Sequence, residues 1–279
     1  MSLLAVAEKD FRDAIRSRLM IVVALIFVVF TGGGVAIGSA VGIGSDAVVA
    51  LILNVLLRGM SVFVPLIAIG IAYRAIAGER ESGSLKLLLS LPNSRFDVVA
   101  GKFLGRSAVV TVAVVVGFVS MLLATAITFD GNVQADVILT FMVAALLLAV
   151  VFVSIAVSVS AFSGSTFAAA IGSFGFFVLF QFAWGGLVFL LRYAANDFET
   201  PSFGAELPEW AEVLFVVNPM TGWRQATEWL LQRVSEEQEA AQQAADAFYL
   251  EPWFGFVVLA GWIVLPLAVG YLRFESSDL

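Results

Sequence analysis

Residues 137–162 read VILTFMVAALLLAVVFVSIAVSVSAF, a run without a single charged side chain. An α-helix rises about 1.5 Å per residue, and about 20 apolar residues are enough to cross the hydrocarbon core of a bilayer. This run is longer than that and is apolar on all sides, so it would not fit the surface of a small soluble domain. It predicts a helix that spans a membrane.

The rest of the chain has the same texture. Of its 279 residues, 61% are hydrophobic and 13% are charged, against about 45–50% and about 25% in soluble domains. Because no single core could bury that excess, the composition excludes a water-soluble globule. The sequence predicts an all-α, polytopic membrane protein with a transmembrane domain over 19–273. Its six predicted spans are 19–41, 51–73, 103–129, 137–162, 167–191 and 253–272.

Two of these spans have features that are unusual for a membrane-spanning helix. The span 51–73 carries Arg58 and Pro65; we expect the guanidinium to snorkel to the headgroups and the helix to bend at the proline. The span 19–41 follows a basic flank as a signal peptide would, but it is longer than the usual apolar region of about 7–15 residues. We therefore interpret both as true spans.

Several kinds of chemistry are excluded by composition. The chain has no Cys and no His, which removes disulfides, thiolate and imidazole metal sites, and Cys or Ser–His nucleophiles. No predicted span has an Asp or Glu near its centre, so an intramembrane enzyme with paired carboxylates is disfavoured. The sequence predicts no catalytic residue, no metal and no cofactor.

The charges indicate an orientation. Lys and Arg concentrate on the side that holds both termini and the loop 74–101, whereas half of the acids fall between Asp197 and Glu251. Basic loops stay inside, so we predict a plasma-membrane protein with a cytoplasmic N-terminus, a cytoplasmic tail at 274–279 and an acidic extracellular loop at 192–252. A net charge of −7 with few Lys and no Cys favours a composition like that of a halophilic archaeon, although drift in an acidic proteome would also produce it.

Three segments between the spans have their own patterns. Residues 1–18 alternate with helical spacing and predict an amphipathic helix in the cytoplasmic interface. In the outer loop, the stretch 207–222 is too short to span and contains Asn218-Pro219, which favours a turn. We expect a re-entrant or interfacial segment there before the last span, and a solvated helix over the Glu-, Gln- and Ala-rich residues 235–247.

The loop 74–101 carries more leucine than a solvated connector needs. After its initial charges, Gly83-Ser84 interrupts the chain, and a short helix is predicted over Leu85–Leu91, ended by Pro92. The leucines of this helix form an apolar stripe on the aqueous side. Such a stripe needs a partner, which would be the bilayer surface, the helices of the chain itself or another protein.

Polar side chains within the spans admit two interpretations. Ser154, Ser158 and Gln181 could line a translocation path. Small polar residues in membrane helices more often allow close packing or bond their own backbone. The sequence leaves both alternatives open and favours packing.

The stretch Ala77–Lys102 resembles the cytoplasmic loop of type-2 ATP-binding cassette (ABC) transporter permeases. The resemblance rests on Gly78, Glu79, Arg80, Glu81, Gly83, Ser84, Leu85, Leu88, Leu89, Pro92, Ser94, Arg95, Gly101 and Lys102. The order of parts, with Asn218-Pro219 before the last span, is similar to the branch that contains the permease of the nitrous-oxide-reductase maturation transporter.

The resemblance implies a permease subunit of an ATP-driven transporter of exporter type, working by alternating access. Two copies of a separate ATPase subunit would dock on a coupling helix between spans two and three, and the permease would pair as a homodimer or with a related permease. The implied docking residues are Glu79, Arg80, Glu81, Gly83, Ser84, Leu85, Leu88, Leu89, Pro92 and Arg95.

The chain itself is not expected to bind ATP. Gly101-Lys102 lacks the upstream Gly and the following hydroxyl residue of a phosphate-binding loop. Besides the ATPase we expect membrane lipid as a partner and no nucleic acid. The alternative function is a membrane anchor or sensor whose acidic extracellular segment binds a partner.

Overall fold

The computed structural model describes residues 3–40, 45–91, 94–129, 134–197, 208–234 and 247–276. Within these ranges the chain forms helices and no strand. The helices are α1 Leu3–Ile15, α2 Arg18–Ala40, α3 Ser45–Ala72, α4 Ala77–Glu81, α5 Ser84–Ser90, α6 Arg95–Thr128, α7 Ala135–Phe162, α8 Thr166–Val178, a π-helical segment Leu179–Ala183, α9 Trp184–Ala195, α10 Glu209–Val216, α11 Pro219–Gln232, a 3₁₀ turn Phe248–Leu250 and α12 Phe254–Glu275.

Six stretches of helix in the described ranges are long and apolar enough to cross a membrane. They are α2, α3, α6, α7, the continuous run α8–α9 and α12. The predicted all-α fold with six spans is therefore confirmed. Some helices extend beyond the predicted apolar runs, because local caps set their ends. α6 begins at Arg95, where Ser94 and Asp97 form a reciprocal capping box.

The centre of the bundle is α7, which is the most deeply buried span of the described chain. Its second half is buried on every side and is built from Ala, Ser, Val and single Phe residues. Small side chains let helices approach closely in a membrane, where packing replaces the hydrophobic effect as the main attraction between helices. α3, α6, α11 and α12 all pack against α7.

α2 packs along α6 through one close approach. A Cβ atom at Gly117 would lie 2.7 Å from the Cβ of Phe27, so a larger residue there would push the helices apart. At the same level the Thr31 hydroxyl donates to the Gly117 carbonyl over 2.7 Å. The glycine thus fixes both the distance between the helices and their register.

The helices α10 and α11 are joined by a turn at Asn218-Pro219 that reaches between the spans. The Asn218 amide donates to the Phe180 carbonyl over 2.9 Å, and the Trp223 indole donates to the Ala144 carbonyl over 2.8 Å. Phe180 lies in the π-helical segment, whose altered hydrogen-bond register makes a carbonyl available. All these partners lie well inside their helices rather than at the ends. The helix expected over 235–247 lies outside the described residues, apart from Ala247.

Candidate functional site

The connection between α3 and α6 folds into two short helices set at a corner. The corner is Gly83, whose φ of +74° lies in the left-handed region that favours glycine. Its neighbours Ser82 and Ser84 bring their hydroxyls within 2.9 Å of each other, and Ser84 also contacts the Glu79 carbonyl at 3.4 Å. The predicted short helix over Leu85–Leu91 is present as α5, shifted by one residue to Ser84–Ser90. We call the end of the bundle that carries α4 and α5 the loop end.

The first helix of this connection, α4, is bonded to the junction of α7 and α8. The backbone N–H groups of Ile76 and Ala77 both donate to the buried hydroxyl of Ser160, over 3.0 and 2.9 Å. Arg80 donates to the carbonyl of Ser163 over 2.9 Å. Glu81 accepts from the Thr166 N–H over 2.7 Å and so caps the first turn of α8. These bonds hold α4 rigidly against the spans.

The loop end also contacts the last span, α12. Arg80 and Arg95 both lie over the buried ring of Phe274, with guanidinium carbons 5.7 and 5.4 Å from the ring centroid. Arg95 further donates to the carbonyls of Phe274 and Glu275, the latter over 2.8 Å. Because Arg95 begins α6, the end of α12 is tied to both the loop and the third span.

Four charged side chains are packed together beneath α1, and we call them the ion quartet: Asp10, Glu79, Lys102 and Arg106. The Lys102 ammonium is 2.8 Å from Glu79 and 3.3 Å from Asp10. Arg106 Nε is 2.8 Å from the Asp10 carboxylate, and Arg106 also donates to the Ile71 carbonyl over 2.9 Å. Lys102 and Asp10 are only 2% and 6% exposed. Two positive and two negative charges balance, as buried charges must.

α1 reaches the quartet because α6 presents glycines to it. A Cβ at Gly105 would lie 2.9 Å from the Ala7 carbonyl oxygen and 2.9 Å from the Asp10 carboxylate. A Cβ at Gly101 would lie 2.8 Å from the Val6 Cβ. The close approach of α1 to α6 therefore requires glycine at both positions.

α1 is amphipathic, as its sequence predicts, but its buried face includes one charged residue. The fully buried residues are Val6, Asp10 and Ala14. Phe11 and Ile15 pack against the core, and Leu4 is exposed. Asp10 faces inward because its carboxylate pairs with Lys102 and Arg106. A helix is present where 1–18 predicts one, and its place in the membrane interface stays a prediction.

The leucines of α5 are also arranged differently from the predicted stripe on the aqueous side. Leu85 and Leu88 are 1% and 8% exposed because they pack into the core of this same chain. Of the three partners considered for the stripe, the helices of the chain itself are thus the ones that cover these two leucines. The exposed leucines at this position are Leu87, at 72%, and Leu91.

A shallow cavity of about 240 Å³ lies between α1 and α5. Its walls include Lys9 of α1 together with Leu87, Leu88 and Leu91. It combines exposed apolar surface with a basic side chain at the loop end of the bundle.

The other residues predicted to dock the ATPase lie in or next to the loop, as the sequence predicts. Most of their charged groups, however, bond to other parts of this same chain. Glu79 belongs to the quartet, Arg80 and Glu81 bond the α7–α8 junction, and Arg95 bonds the end of α12. Pro92 lies outside the described residues.

The three residues considered for a translocation path have local partners. The Ser154 hydroxyl donates to the Ile263 carbonyl over 2.7 Å, and Ser158 donates to the Pro266 carbonyl. These bonds join α7 to α12, as the packing alternative expects for small polar residues in a membrane. The Gln181 amide donates instead to the Ser61 hydroxyl of α3, over 3.2 Å.

Sequence reasoning missed the partners that hold the loop. The sequence analysis did not identify Asp10, Arg106 or Ser160 as residues that hold the loop. One signal was available, since Lys102 and Arg106 stand four residues apart at the start of a long apolar run, where unpaired charge is costly. The two cations there require acidic partners.

These features describe a polytopic protein with six candidate membrane spans, in which one loop contacts the ends of several helices. The chain belongs to the ABC-2 family of transporter proteins, whose family model matches residues 4–279. It is therefore a transmembrane subunit of an ABC transporter, and a multi-pass membrane protein.

More particularly, the chain is similar to curated proteins named probable ABC transporter permease protein NosY. The protein from Pseudomonas aeruginosa is 34% identical over 184 residues, which cover 62% of this chain and 66% of the relative. The protein from Stutzerimonas stutzeri is 32% identical over 227 residues, covering 78% of each chain. The resemblance to the type-2 permeases and to this branch is thus confirmed.

Proposed function

We propose that this chain is the permease of an ABC exporter that alternates its access under the control of an ATPase subunit docked at α5. The observation that carries the proposal is the set of contacts from the α4–α5 loop to α6, α7, α8 and α12. A body that presses on α5 acts on α4 through the Gly83 corner, and α4 is bonded directly to the ends of these helices.

The orientation proposed for the loop end is cytoplasmic. The N-terminal helix, whose Asp10 pairs with Lys102, and the end of α12, whose Phe274 contacts Arg80, both lie at this end. The basic residues of the chain concentrate in the same segments. Because basic loops are retained inside, this distribution supports cytoplasmic N- and C-termini in a plasma membrane.

The ATPase docks on exposed surface rather than on the buried leucines. Leu87 and Leu91 offer apolar contact area, and Lys9 and Lys86 stand beside them as exposed charges. Apolar anchors ringed by charges are typical of protein interfaces, where the charges set the register. Leu85 and Leu88 support this surface from below.

ATP hydrolysis takes place in the docked subunit, two copies of which serve a pair of permeases. Closure of the two ATPases displaces α5, and the displacement passes to α7 and α12 through Arg80 and Arg95. The permease responds by shifting between two packings of the bundle, one open to each side. At the far end, the Asn218-Pro219 turn acts as a re-entrant segment that narrows the extracellular side. The bond of Asn218 to Phe180 and the bond of Trp223, just after the turn, to Ala144 support this role.

The test is to place a charge on the proposed docking surface. Leu87→Asp should abolish co-purification of the ATPase with the permease, because burying an unpaired carboxylate against an apolar partner is unfavourable. Membrane insertion should be unchanged, since Leu87 is exposed to begin with.

The matched control is Gly164→Asp. Gly164 lies on the same side of the bundle and has open space around its Cβ position, so the variant adds the same charge without disturbing α5. The ATPase should co-purify with this variant as it does with the wild-type chain. If Leu87→Asp retains the ATPase at the wild-type ratio, α5 is not the docking helix.

A further inference from the structure

A long apolar groove runs beside α12. Its volume is about 680 Å³, and residues of α12 line it from Phe254 to Val269. Fifteen helical steps of about 1.5 Å make it about 22 Å long, roughly three quarters of the ~30 Å hydrocarbon thickness of a bilayer. The occupant that fits this shape is long and narrow.

The walls of the groove offer no free hydrogen-bonding group along α12 and α7. The Ser158 hydroxyl donates to the Pro266 carbonyl, and the Trp262 indole donates to the Val217 carbonyl over 2.8 Å. The other lining residues are aliphatic or phenylalanine, apart from Tyr249 at one end. Water would lose hydrogen bonds in such a groove, so an alkyl chain is the favoured occupant.

The absence of a side chain at Gly261 provides part of the volume of the groove. Gly261 lies in the groove wall at the middle of α12, and a Cβ atom there would meet nothing within 4 Å. No close helix contact explains this glycine, in contrast to Gly255 on the same helix, where a Cβ would lie 2.3 Å from the Gly222 carbonyl oxygen. A larger residue at Gly261 would fill the groove without a clash.

The end of the groove away from the loop end is polar and acidic. The Tyr249 hydroxyl donates to the Glu212 carboxylate over 3.3 Å, and Glu209 lies one turn earlier on α10. Burial, together with the charges of Glu212 and Glu209, raises the pKa of Tyr249, so its hydroxyl stays protonated and continues to donate. Two carboxylates at one end of an apolar groove complement a cationic headgroup.

The size of the groove favours a single alkyl chain over a helix of a second copy as the occupant that fills it. A volume of about 680 Å³ spread over about 22 Å gives a cross-section near 31 Å². A helix about 10–12 Å across has a cross-section of roughly 80–110 Å². A single alkyl chain is much thinner than that and meets no such limit.

We propose that this groove binds a single-chain amphiphile with an ammonium headgroup, its tail along α12 beside Gly261 and its headgroup at Glu212 and Glu209. This site is separate from the ATPase docking surface at α5, and no part of the proposal depends on docking.

The test uses the full chain in phosphatidylcholine nanodiscs and a trimethylammonium amphiphile brominated on its alkyl chain. Bromine quenches tryptophan fluorescence on contact, and Trp262 lines the groove. We expect saturable quenching whose amplitude falls in Trp262→Phe. Gly261→Leu should weaken the binding at least ten-fold. A brominated alkyl sulfate of equal length should bind at least ten-fold more weakly than the ammonium, and this preference should shrink when Glu212 and Glu209 are both changed to Gln.

The matched control is Gly185→Leu on α9, which also has open space at its Cβ position but does not line the groove. It should bind the ammonium as the wild-type chain does. Quenching that does not saturate, or that Gly261→Leu leaves unchanged, would overturn the proposal. Because the chain has no native Cys, Leu265→Cys reports cleanly on a second copy, and near-complete disulfide cross-linking there would assign the groove to a dimer contact instead.

Discussion

Removing one charge from the ion quartet should destabilise the protein far more than removing a charge from the surface of the same helix. The change is Asp10→Asn, which keeps the size of the side chain. It deprives Lys102 of a carboxylate at 3.3 Å and Arg106 of one at 2.8 Å. A balanced group of two anions and two cations then carries an excess positive charge in a site that Lys102 shows to be almost fully buried.

The magnitude follows from burial. Breaking a buried ion pair by removing one partner costs about 3–5 kcal/mol. Lys102 keeps Glu79 at 2.8 Å and Arg106 keeps the Ile71 carbonyl at 2.9 Å, so we expect the lower end, about 3 kcal/mol. At about 2–4 °C per kcal/mol for a domain of this general size, the thermal midpoint should fall by about 6–12 °C.

The comparison is Arg12→Met, which breaks the exposed pair of Arg12 with Glu8 on the outer face of α1. Pairs of this spacing contribute about 0.3–0.5 kcal/mol. Asp10→Asn and Arg12→Met are melted in the same detergent, and their unfolding is followed by circular dichroism. The double variant Asp10→Asn with Lys102→Met, compared with each single variant, measures the coupling between Asp10 and Lys102. The reasoning is refuted if Asp10→Asn shifts the midpoint no more than Arg12→Met, or if the effects of Asp10→Asn and Lys102→Met simply add.

Three further substitutions test the contacts of α11. Asn218→Ala removes the cap of this helix and the bond to the Phe180 carbonyl. We expect the free energy of unfolding, measured with denaturant, to fall by about 1–2 kcal/mol. An unchanged midpoint would contradict the observed cap. Trp223→Phe loses the indole donor to Ala144 and part of a buried ring, and should cost at least about 1 kcal/mol in the same assay. Gly255→Ala places a Cβ against the Gly222 carbonyl and should lower the free energy of unfolding by about 1–3 kcal/mol through overpacking. The control Gly186→Ala, with open space at its Cβ, should leave the free energy of unfolding unchanged. Equal effects of the two variants would refute the close contact.

Six membrane spans were predictable because a span needs only length and apolar composition, and both are local properties. The run 137–162 and helix α7 end at the same residue, Phe162. The short helix of the loop was predictable for a similar reason, since Gly83 before it is a strong local interruption. The loop motif was specific enough to indicate the family before any contact was known.

The orientation of each helix about its own axis was not predictable from periodicity. α5 has leucine on several faces, so the pattern cannot distinguish a stripe that faces the core from one that faces solvent. The structure buries Leu85 and Leu88 and exposes Leu87, and the preceding helix α4 is held in place by bonds to Ser160 on the distant helix α7. Contacts between residues that lie far apart in sequence decide such rotations, and no local pattern contains them.

The quartet and the two glycines of α6 explain each other. Lys102 is buried only because α1 lies directly on α6, and α1 can lie there only because Gly101 and Gly105 carry no Cβ. Those glycines flank Lys102 on the same surface of the helix, so one face provides both the space and the charge. With α1 absent, Lys102 would meet an apolar environment with Glu79 as its one acidic partner in the quartet, at the cost that follows from an incompletely paired buried charge. Asp10 therefore holds α1 to the loop end by charge balance as much as by apolar packing.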